Sequence, residues 1–314
     1  MAIPNLINYG TLGLGLLGMT WRPVPIPDEQ AFATMKAALA NGANVWNGGD
    51  LYGTRSNNSL HLLSRYFTAY PEDASKVILS IKVGTSGREE DLRRSLEYCL
   101  KVLDGKKSID IFQCARVDST TPIRETVAVL AKYVQEGKIG GIGLSEPDAV
   151  TIRHAHEIHP IAGVEVEMSL WSIDILSNGV AATCGELGIP VFAHSPLGHG
   201  FLTGNITHPN DIPPGDIRAH LARFQPGVFD KNLERVHEIQ ALAKKKGCTT
   251  AQIALAWVRS FSGKEGFSIV VPIVGATKKE RMMENSAIVE LQDDDFKVLD
   301  NILSRTNVIG GRYM

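Results

Sequence analysis

The stretch PIRETVAVLAKYVQEGKIGGIGLSEPDAVTIRHAHEI, which runs from Pro122 to Ile158, decides the fold. An amphipathic run from Pro122 to Glu136 is followed by Gly137, then by the short apolar run Ile139 to Leu144, and then by a second amphipathic run from Asp148 to Ile158. Apolar residues at spacings of three and four predict helices, and a short apolar run between turn residues predicts a buried strand. Helix, strand and helix in this order predict part of a parallel sheet that is covered by helices.

The same alternation extends along the whole chain. The strand candidates are Leu12 to Leu17, Asn44 to Trp46, Val77 to Val83, Ile109 to Cys114, Ile139 to Leu144, Val164 to Met168, Val191 to Ala193 and Ile269 to Ile273. Further helix candidates are Asp28 to Asn41, Glu89 to Leu103, Leu233 to Lys246 and Thr250 to Ser260. This count predicts an α/β fold, a (β/α)8 TIM barrel with an N-terminal β-hairpin, and we expect residues 1–314 to form one barrel domain.

Composition narrows the classes of partner. The chain has 314 residues, 44% hydrophobic content and a formal net charge of -2, so neither nucleic acid nor an acidic membrane surface is indicated. The four cysteines form no Cys-x-x-Cys pair, which argues against a zinc site or a disulfide framework. No apolar run approaches the roughly 20 residues of a membrane span, and no signal sequence precedes the first strand. We expect a soluble, cytoplasmic protein that binds a small molecule and no metal.

In a parallel barrel, the chemistry lies at the carboxyl ends of the strands, where the connecting loops meet at one mouth. The residues at these ends are Asn47 to Tyr52, Lys82, Cys114 to Asp118, Ser145, Glu146, Glu165, Glu167, His194, Ser195 and Gly275 to Arg281. The stretch Gly198 to Phe229 interrupts the alternation, contains four prolines and follows the seventh strand candidate. A long loop at this face is typical of a lid.

Several segments resemble those of a known enzyme family. They are GKIGGIGLSE (residues 137–146), HPIAGVEVEMSLW (159–171), HSPLGHGFLTG (194–204) and PIVGATKKER (272–281). In this order they are similar to the aldo-keto reductases, and together with WNGG (46–49) and FQCARVD (112–118) they most resemble the fungal pyridoxal reductases. The resemblance implies NADP(H)-dependent reduction of an aldehyde to an alcohol, with conversion of pyridoxal to pyridoxine as the expected reaction.

The stretch Asn47-Gly-Gly-Asp-Leu-Tyr52-Gly resembles the active-site signature of that family, Asp-x-Ala-x-x-Tyr-Gly. The resemblance assigns proton donation to Tyr52 and the adjacent lysine to Lys82. Asn47 stands at the position of the catalytic aspartate, and Ala115 stands at that of a histidine which orients the carbonyl. Half of the family's catalytic set is therefore changed.

A free phenol has a pKa near 10, and a neighbouring ammonium lowers it by roughly 1 to 3 units. With Asn47 in place of a carboxylate, the pair of Tyr52 and Lys82 is expected to be more cationic, which favours phenolate and lowers the pH optimum. Asp50 lies nearby in sequence and is a second candidate for the partner of Lys82, although a solvated loop position is favoured for it.

The resemblance also implies a cofactor site. Ser145, Glu146 and Glu165 correspond to residues that bind the nicotinamide carboxamide, His194 to a ring beside the nicotinamide, and Lys278 and Arg281 to residues that bind the 2′-phosphate. The full cofactor set is Ser145, Glu146, Glu165, His194, Ser195, Leu197, Gly198, Gly204, Gly275, Thr277, Lys278, Arg281, Glu284 and Asn285. For Glu165 and Glu167 an equally good interpretation is a carboxylate inside the barrel, paired with lysine or arginine.

Substrate contacts are assigned to Trp21 and Trp46, which with Trp171 are expected to form an apolar wall at the mouth. Two other functions remain open. The altered catalytic set is compatible with an NADP(H)-sensing subunit that turns over slowly, and Lys82 is compatible with Schiff-base chemistry.

Overall fold

The computed structural model describes residues 9–313, and eight parallel strands of this part form a closed barrel. Around the barrel the strand order is β1-β10-β9-β8-β7-β6-β5-β2, so each strand pairs with the next barrel strand along the chain and the last pairs with the first. The predicted (β/α)8 barrel is confirmed. The N-terminal hairpin was expected before Leu12, and residues 1–8 of that region lie outside the described residues.

The strands are β1 Gly13–Gly15, β2 Val45–Gly49, β3 Gly53–Thr54, β4 Asn57–Asn58, β5 Ile78–Val83, β6 Ile109–Cys114, β7 Ile139–Ser145, β8 Ile161–Glu167, β9 Val191–His194 and β10 Val270–Gly275. The helices are α1 Leu17–Thr20, α2 Asp28–Ala40, α3 Ser59–Ala69, α4 Glu89–Leu103, α5 Ile123–Gln135, α6 Ala149–Ile158, α7 Val180–Leu187, α8 Phe229–Lys246, α9 Thr250–Arg259, α10 Lys279–Ser286 and α11 Asp293–Arg305. The short pair β3 and β4 forms an antiparallel hairpin outside the barrel.

Three strand predictions need new bounds, and helices α1, α3, α7 and α11 were not predicted. The first strand is shorter than Leu12 to Leu17 because the chain turns into α1 at Leu17. Strand β2 continues to Gly49 rather than ending at Trp46, and β8 begins at Ile161 rather than at Val164. Helix α3 begins at a capping box, in which Asn58 Oδ1 accepts from the backbone N–H of Leu60 at 3.0 Å. Such a cap supplies acceptors for the free amides of the first turn.

An apolar cluster fills part of the barrel interior. Its members alternate along their strands with residues that face the helices, as the period of two in a strand requires. They are Val45, Ile111, Phe192, Val271 and Ile273. Gly163 in β8 leaves room for this cluster, because a Cβ atom there would lie 2.3 Å from Cε2 of Phe192.

A polar layer lies further along the same strands, toward the mouth. The pleat that turns Val45 inward also turns Asn47 inward, two residues later. The buried polar residues of this layer are Asn47, Ser80, Lys82, Gln113 and Glu165. The barrel therefore changes from an apolar cluster to a set of charged and hydrogen-bonding side chains as it approaches the mouth.

The long stretch Gly198 to Phe229 folds into four short 3-10 helices between β9 and α8. It helps to hold the C-terminal segment, since Arg223 Nε donates to Gly310 O at 3.2 Å. Asn232 in α8 holds the same segment, with its Nδ2 donating to Ile309 O at 3.0 Å. The chain after α11 is thereby directed back to the barrel mouth. Within residues 9–313 no helix has both the length and the apolar character needed to cross a membrane.

Replacing Gly163 by alanine should destabilise the protein, because the added methyl group would overlap the Phe192 ring. Overpacking of this kind costs about 1 to 3 kcal/mol in the free energy of unfolding, which urea denaturation measures. Gly84→Ala is the matched control, since a Cβ there meets no atom within 4 Å. Equal stability of the two variants would contradict this account of the barrel interior.

Candidate active site

Tyr52 lies in the loop after β2, where it is fixed at the mouth. Its backbone oxygen accepts from Thr20 Oγ1 at 2.6 Å and from the N–H of Ser59 at 3.1 Å. The phenol lies 3.5 Å from its acceptor, Oδ1 of Asn47, and the Lys82 ammonium is close enough to favour the phenolate electrostatically. The structure thus brings together the three residues that were expected to form the catalytic group.

Lys82 is buried in the polar layer and forms an ion pair with Glu165. Its Nζ lies 2.7 Å from Glu165 Oε1, and the two side chains are only 7% and 2% exposed. The other carboxylate oxygen of Glu165 accepts from Asn47 Nδ2 at 2.8 Å and from Gln113 Nε2 at 2.7 Å. The structure therefore favours the interpretation of Glu165 as a barrel-interior carboxylate paired with lysine.

This ion pair corrects the expectation of a cationic site. Lys82 has an anionic partner after all, and that partner is Glu165 on β8 rather than Asp50. Burial opposes the charged amine, but the Glu165 carboxylate outweighs it, so the pKa of Lys82 is raised above its ordinary value. Lys82 is consequently a stable ammonium at neutral pH.

The pKa of the Tyr52 phenol also differs from the sequence-based expectation. Burial disfavours the phenolate more than Lys82 and Arg116 stabilise it, and the Glu165 charge adds to that effect, so the pKa of Tyr52 is raised. The predicted acidic shift of the Tyr52 pKa is therefore wrong, whereas the lower pH optimum stays a prediction. Tyr52 remains protonated through neutral pH.

A second cluster lies at the ends of β7 and β9 and includes two of the expected nicotinamide residues. Glu146 Oε1 is 2.8 Å from His194 Nε2 and accepts from the N–H of Glu167 at 2.6 Å. Its Oε2 is 3.1 Å from Nη1 of Arg312. Although partial burial opposes the charge, His194, the backbone N–H and Arg312 hold the pKa of Glu146 at about 2. Glu146 is therefore an acceptor whose oxygens already have partners.

The C-terminal segment adds residues that the sequence did not reveal. The hydroxyl of Tyr313 lies 3.5 Å from His194 Nε2, and the Arg116 guanidinium lies 4.6 Å from the centre of the Tyr313 ring. Arg312 and Tyr313 thus cover the residues expected to hold nicotinamide. A segment that follows the last helix carries no periodic pattern, and only the folded chain shows where it lies.

The residues expected around the pyrophosphate lie in the turn that follows β9. Ser195 has a φ of 50° and Gly198 a φ of 54°. A Cβ at Gly198 would lie 2.4 Å from Cε3 of Trp171, so this turn packs closely on that ring. Leu197 is buried, and Gly204 ends the first short helix of this stretch with a φ of 70°.

The expected phosphate and adenine residues occupy the end of β10 and helix α10. Gly275 and Lys278 are exposed, and Lys278 occupies the N-cap position of the helix without a side-chain hydrogen bond to it. Arg281 Nη1 lies 2.7 Å from Glu284 Oε2 on the surface. Asn285 is buried, and Thr277 O accepts from Gln30 Nε2 at 2.6 Å. A helix N-terminus flanked by cations suits a phosphate.

Of the two substrate tryptophans, one lies at the mouth and one does not. The ring of Trp21 is 48% exposed and its centre lies 6.3 Å from that of Tyr52. Trp46 was expected beside it, but that prediction is wrong. It is fully buried between barrel and helices, with its ring centre 5.2 Å from that of Tyr66. The pleat that turns Val45 and Asn47 inward turns Trp46 outward.

Trp171 lies in the loop after β8 but is buried, with its ring centre 4.1 Å from that of Phe201, so it offers no exposed wall to a substrate. Glu167, like Glu165, is a buried carboxylate paired with a basic side chain. Its Oε1 accepts from Ser172 Oγ at 2.6 Å and lies 3.5 Å from Arg223 Nη1. In the part of the chain that is described, no group of three His, Cys, Asp or Glu side chains is placed to hold a metal ion.

The sequence model of the family described as Aldo/keto reductase family matches residues 11–304. The chain belongs to the aldo/keto reductase family. It is 38% identical over 327 residues to the Schizosaccharomyces pombe protein named "Probable pyridoxal reductase 2", a match that covers 100% of this chain and 97% of that protein. The chain is thus an NADP-dependent oxidoreductase of this family, similar along its whole length to a protein with that name.

Solved structures of aldo/keto reductases have the same fold. The glycerol dehydrogenase of Gluconobacter oxydans superposes with a TM-score of 0.83 at 25% identity, and the match covers 100% of this chain and 98% of that one. An aldo/keto reductase from Klebsiella pneumoniae in complex with NADP and acetate superposes with a TM-score of 0.71 at 22% identity, over 95% and 94% of the two chains. The barrel described above is the aldo/keto reductase barrel.

Aldo/keto reductases use NADP(H), and one buried atom of this chain tests the fit of that cofactor. Ser145 Oγ, at the end of β7, is buried and has no hydrogen-bond partner among residues 9–313. Buried hydroxyl groups are normally paired, so an unpaired one at a mouth indicates a place for a ligand. The position agrees with a contact to the nicotinamide carboxamide.

Ser145→Ala should weaken NADP(H) binding by roughly fivefold, because one net hydrogen bond contributes about 1 kcal/mol. Stability should not fall, since no side-chain hydrogen bond within residues 9–313 is lost. Ser59→Ala is the contrasting variant, because Ser59 Oγ donates to Gly49 O at 2.8 Å and its loss should destabilise the fold. Fluorescence titration with NADPH and thermal unfolding measure the two effects, and unchanged affinity in Ser145→Ala would count against the assignment.

Proposed function

We propose that this chain catalyses the NADPH-dependent reduction of an aldehyde to an alcohol, with Tyr52 as the proton donor. The observation that carries the proposal is the placement of the partly buried Tyr52 phenol beside Asn47 Oδ1, at 3.5 Å, and within the electrostatic influence of the Lys82 ammonium. When a phenol gives its proton to a developing alkoxide, it becomes a phenolate. A charged lysine beside it stabilises that phenolate and so favours the proton transfer.

The residues that would hold NADPH lie on three parts of the mouth. Ser145 and His194 would contact the nicotinamide, and the turn from Ser195 to Gly204 would contact the pyrophosphate. Lys278 and Arg281 at the start of α10 would contact the 2′-phosphate, with Glu284 and Asn285 toward the adenine. When bound, the cofactor supplies the hydride that reduces the carbonyl carbon.

The protein's own side chains manage the proton. Because the pKa of Tyr52 lies above its ordinary value, the phenol is in its acid form at neutral pH and is ready to donate. As the carbonyl oxygen gains charge, the phenol passes its proton to that oxygen. The Lys82 ammonium then stabilises the phenolate, which is reprotonated from solvent. General-acid catalysis of this kind contributes typically 10² to 10⁴ in rate.

The substrate that the site supports best is an aromatic aldehyde, and we propose pyridoxal. The half-exposed Trp21 ring lies beside Tyr52 and offers a surface for an aromatic ring. Ala115 leaves space where relatives with histidine at this position have a ring. The similarity to the fission-yeast protein over the full length supports the choice of pyridoxal.

The geometry favours a reductase over the Schiff-base alternative. A nucleophilic lysine must be an uncharged amine, whereas Lys82 is an ammonium held 2.7 Å from Glu165. An NADP(H)-sensing subunit would use the same cofactor residues but would show little turnover. Steady-state assays therefore separate it from an enzyme.

Tyr52→Phe should lower kcat/KM for pyridoxal by about 10² to 10⁴, because the variant has no proton to donate. NADPH affinity and thermal stability should be unchanged. Tyr70→Phe is the control, since Tyr70 packs against Phe32 in the outer helix layer. The measurement is NADPH oxidation with pyridoxal and with 4-nitrobenzaldehyde. Tight NADPH binding without turnover in the unmodified protein would favour the sensor instead.

Arg281→Ala should weaken NADPH binding at least about tenfold and leave NADH binding nearly unchanged, because only NADPH carries the 2′-phosphate. Lys297→Ala is a suitable control, since Lys297 forms a similarly spaced surface pair with Asp294 at 2.8 Å. Isothermal titration with both nucleotides measures the ratio. Equal losses of affinity for NADPH and NADH would show that Arg281 does not bind the 2′-phosphate.

A further inference from the structure

The carboxylate of Glu165 has both oxygens occupied by residues of the polar layer. Oε1 is 2.7 Å from Lys82 Nζ, and Oε2 accepts one hydrogen bond each from Asn47 and Gln113. Gln113 is itself held, because its Nε2 also lies 3.1 Å from Ser80 Oγ. A carboxylate engaged in this way has little capacity left for a nicotinamide carboxamide, which was the role first expected for it.

By its resemblance to the family, Asn47 stands at the position of an aspartate. Asn47 has an amide in place of that carboxylate, and the carboxylate that contacts Lys82 is the one on Glu165. The hydrogen bond from Asn47 Nδ2 to Glu165 Oε2 joins the two at 2.8 Å.

We propose that Glu165 is the positioning residue for Lys82, and that β8 supplies the carboxylate beside this lysine, across the barrel from Asn47 on β2. The inference rests on the proposed role of Tyr52 and Lys82. It adds a function for Glu165 that acts through Lys82 and not through contact with substrate.

The layer is balanced in both charge and hydrogen bonding. One ammonium and one carboxylate remain in the layer, and an amide still donates to that carboxylate across the barrel. The charged and titratable groups that act on Lys82 are Glu165 from β8, Tyr52 from the loop after β2 and Arg116 from the loop after β6. Of these, Arg116 opposes a charged lysine, and Glu165 is the one carboxylate among them.

Without that carboxylate, burial and Arg116 both act against the ammonium. Fully buried lysines can titrate several units below their ordinary pKa. In Glu165→Gln we therefore expect Lys82 to lose its proton near neutral pH. The phenolate of Tyr52 would then lack its cation, and reduction would fail as the pH rises through neutrality.

The test uses four full-length proteins: the unmodified chain, Glu165→Gln, Asn47→Asp, and the double variant Asn47→Asp/Glu165→Gln. Each single change should lower kcat/KM for aldehyde reduction by about a hundredfold at neutral pH, within the range for general-acid catalysis. Glu165→Gln has no carboxylate beside Lys82, and Asn47→Asp has two. The double variant should recover to within about tenfold, because it again has one carboxylate and one amide.

The pH profile separates positioning from a general structural defect. Activity of Glu165→Gln should rise as the pH is lowered below neutrality, where Lys82 regains its proton. The unmodified chain and the double variant should not show this rise. Circular dichroism and thermal unfolding establish that the compared proteins are folded. A folded Glu165→Gln variant with unchanged activity and pH profile, or a folded double variant without recovery, would overturn the proposal.

A second readout does not require turnover. An uncharged Lys82 amine should condense with pyridoxal, releasing water, and sodium borohydride should reduce the imine to a stable secondary amine. Mass spectrometry should find this label on Lys82 in Glu165→Gln and not in the unmodified chain or the double variant. Lys107, which is paired with Asp110 at 2.7 Å, is the internal control.

The two readouts keep the proposals distinct. If the unmodified chain reduces no aldehyde but Lys82 is labelled in Glu165→Gln alone, the proposed function fails and the positioning role stands. Equal labelling of Lys82 in all proteins would overturn the positioning role, whatever the turnover.

Discussion

A lysine inside a closed barrel has to be neutralised by a partner, and the Lys82–Glu165 ion pair meets that requirement here. Removing one member of a buried pair costs about 3 to 5 kcal/mol, because the remaining charge has neither water nor a counter-ion. The pair therefore limits which side chains can surround it. Asn47 and Gln113 complete the shell of the carboxylate, and Tyr52 is the neighbour through which the lysine acts.

The layers of the barrel give this pair its location. Below it, Phe192 and its apolar neighbours fill the interior, and an apolar surrounding strengthens an electrostatic interaction beside it. Above it, the strand ends open to the mouth, where the Tyr52 ring lies near that of Trp21. The proton donor thus stands at the boundary between a buried, charged layer and the space in which a substrate would bind.

Sequence reasoning found the barrel, most of its helices and the approximate positions of Tyr52 and Lys82, because periodicity and strand ends are local features. It placed Trp46 at the mouth, because a short run of residues does not show which of its alternating side chains point into the barrel. It left the partner of Lys82 open. Whether a side chain of β5 meets one of β8 across the barrel depends on the stagger of the strands around the closed sheet. It also gave the wrong direction for the pKa of Tyr52, which depends on how deeply the phenol is buried.

The path of the chain after α11 has a practical meaning for work with the protein. Arg223 and Asn232 fix Gly310 and Ile309, and the next residues reach Glu146 and His194. Residues 309–313 consequently form part of the wall of the barrel entrance. A break in the chain after α11 would remove that wall and leave the entrance wider.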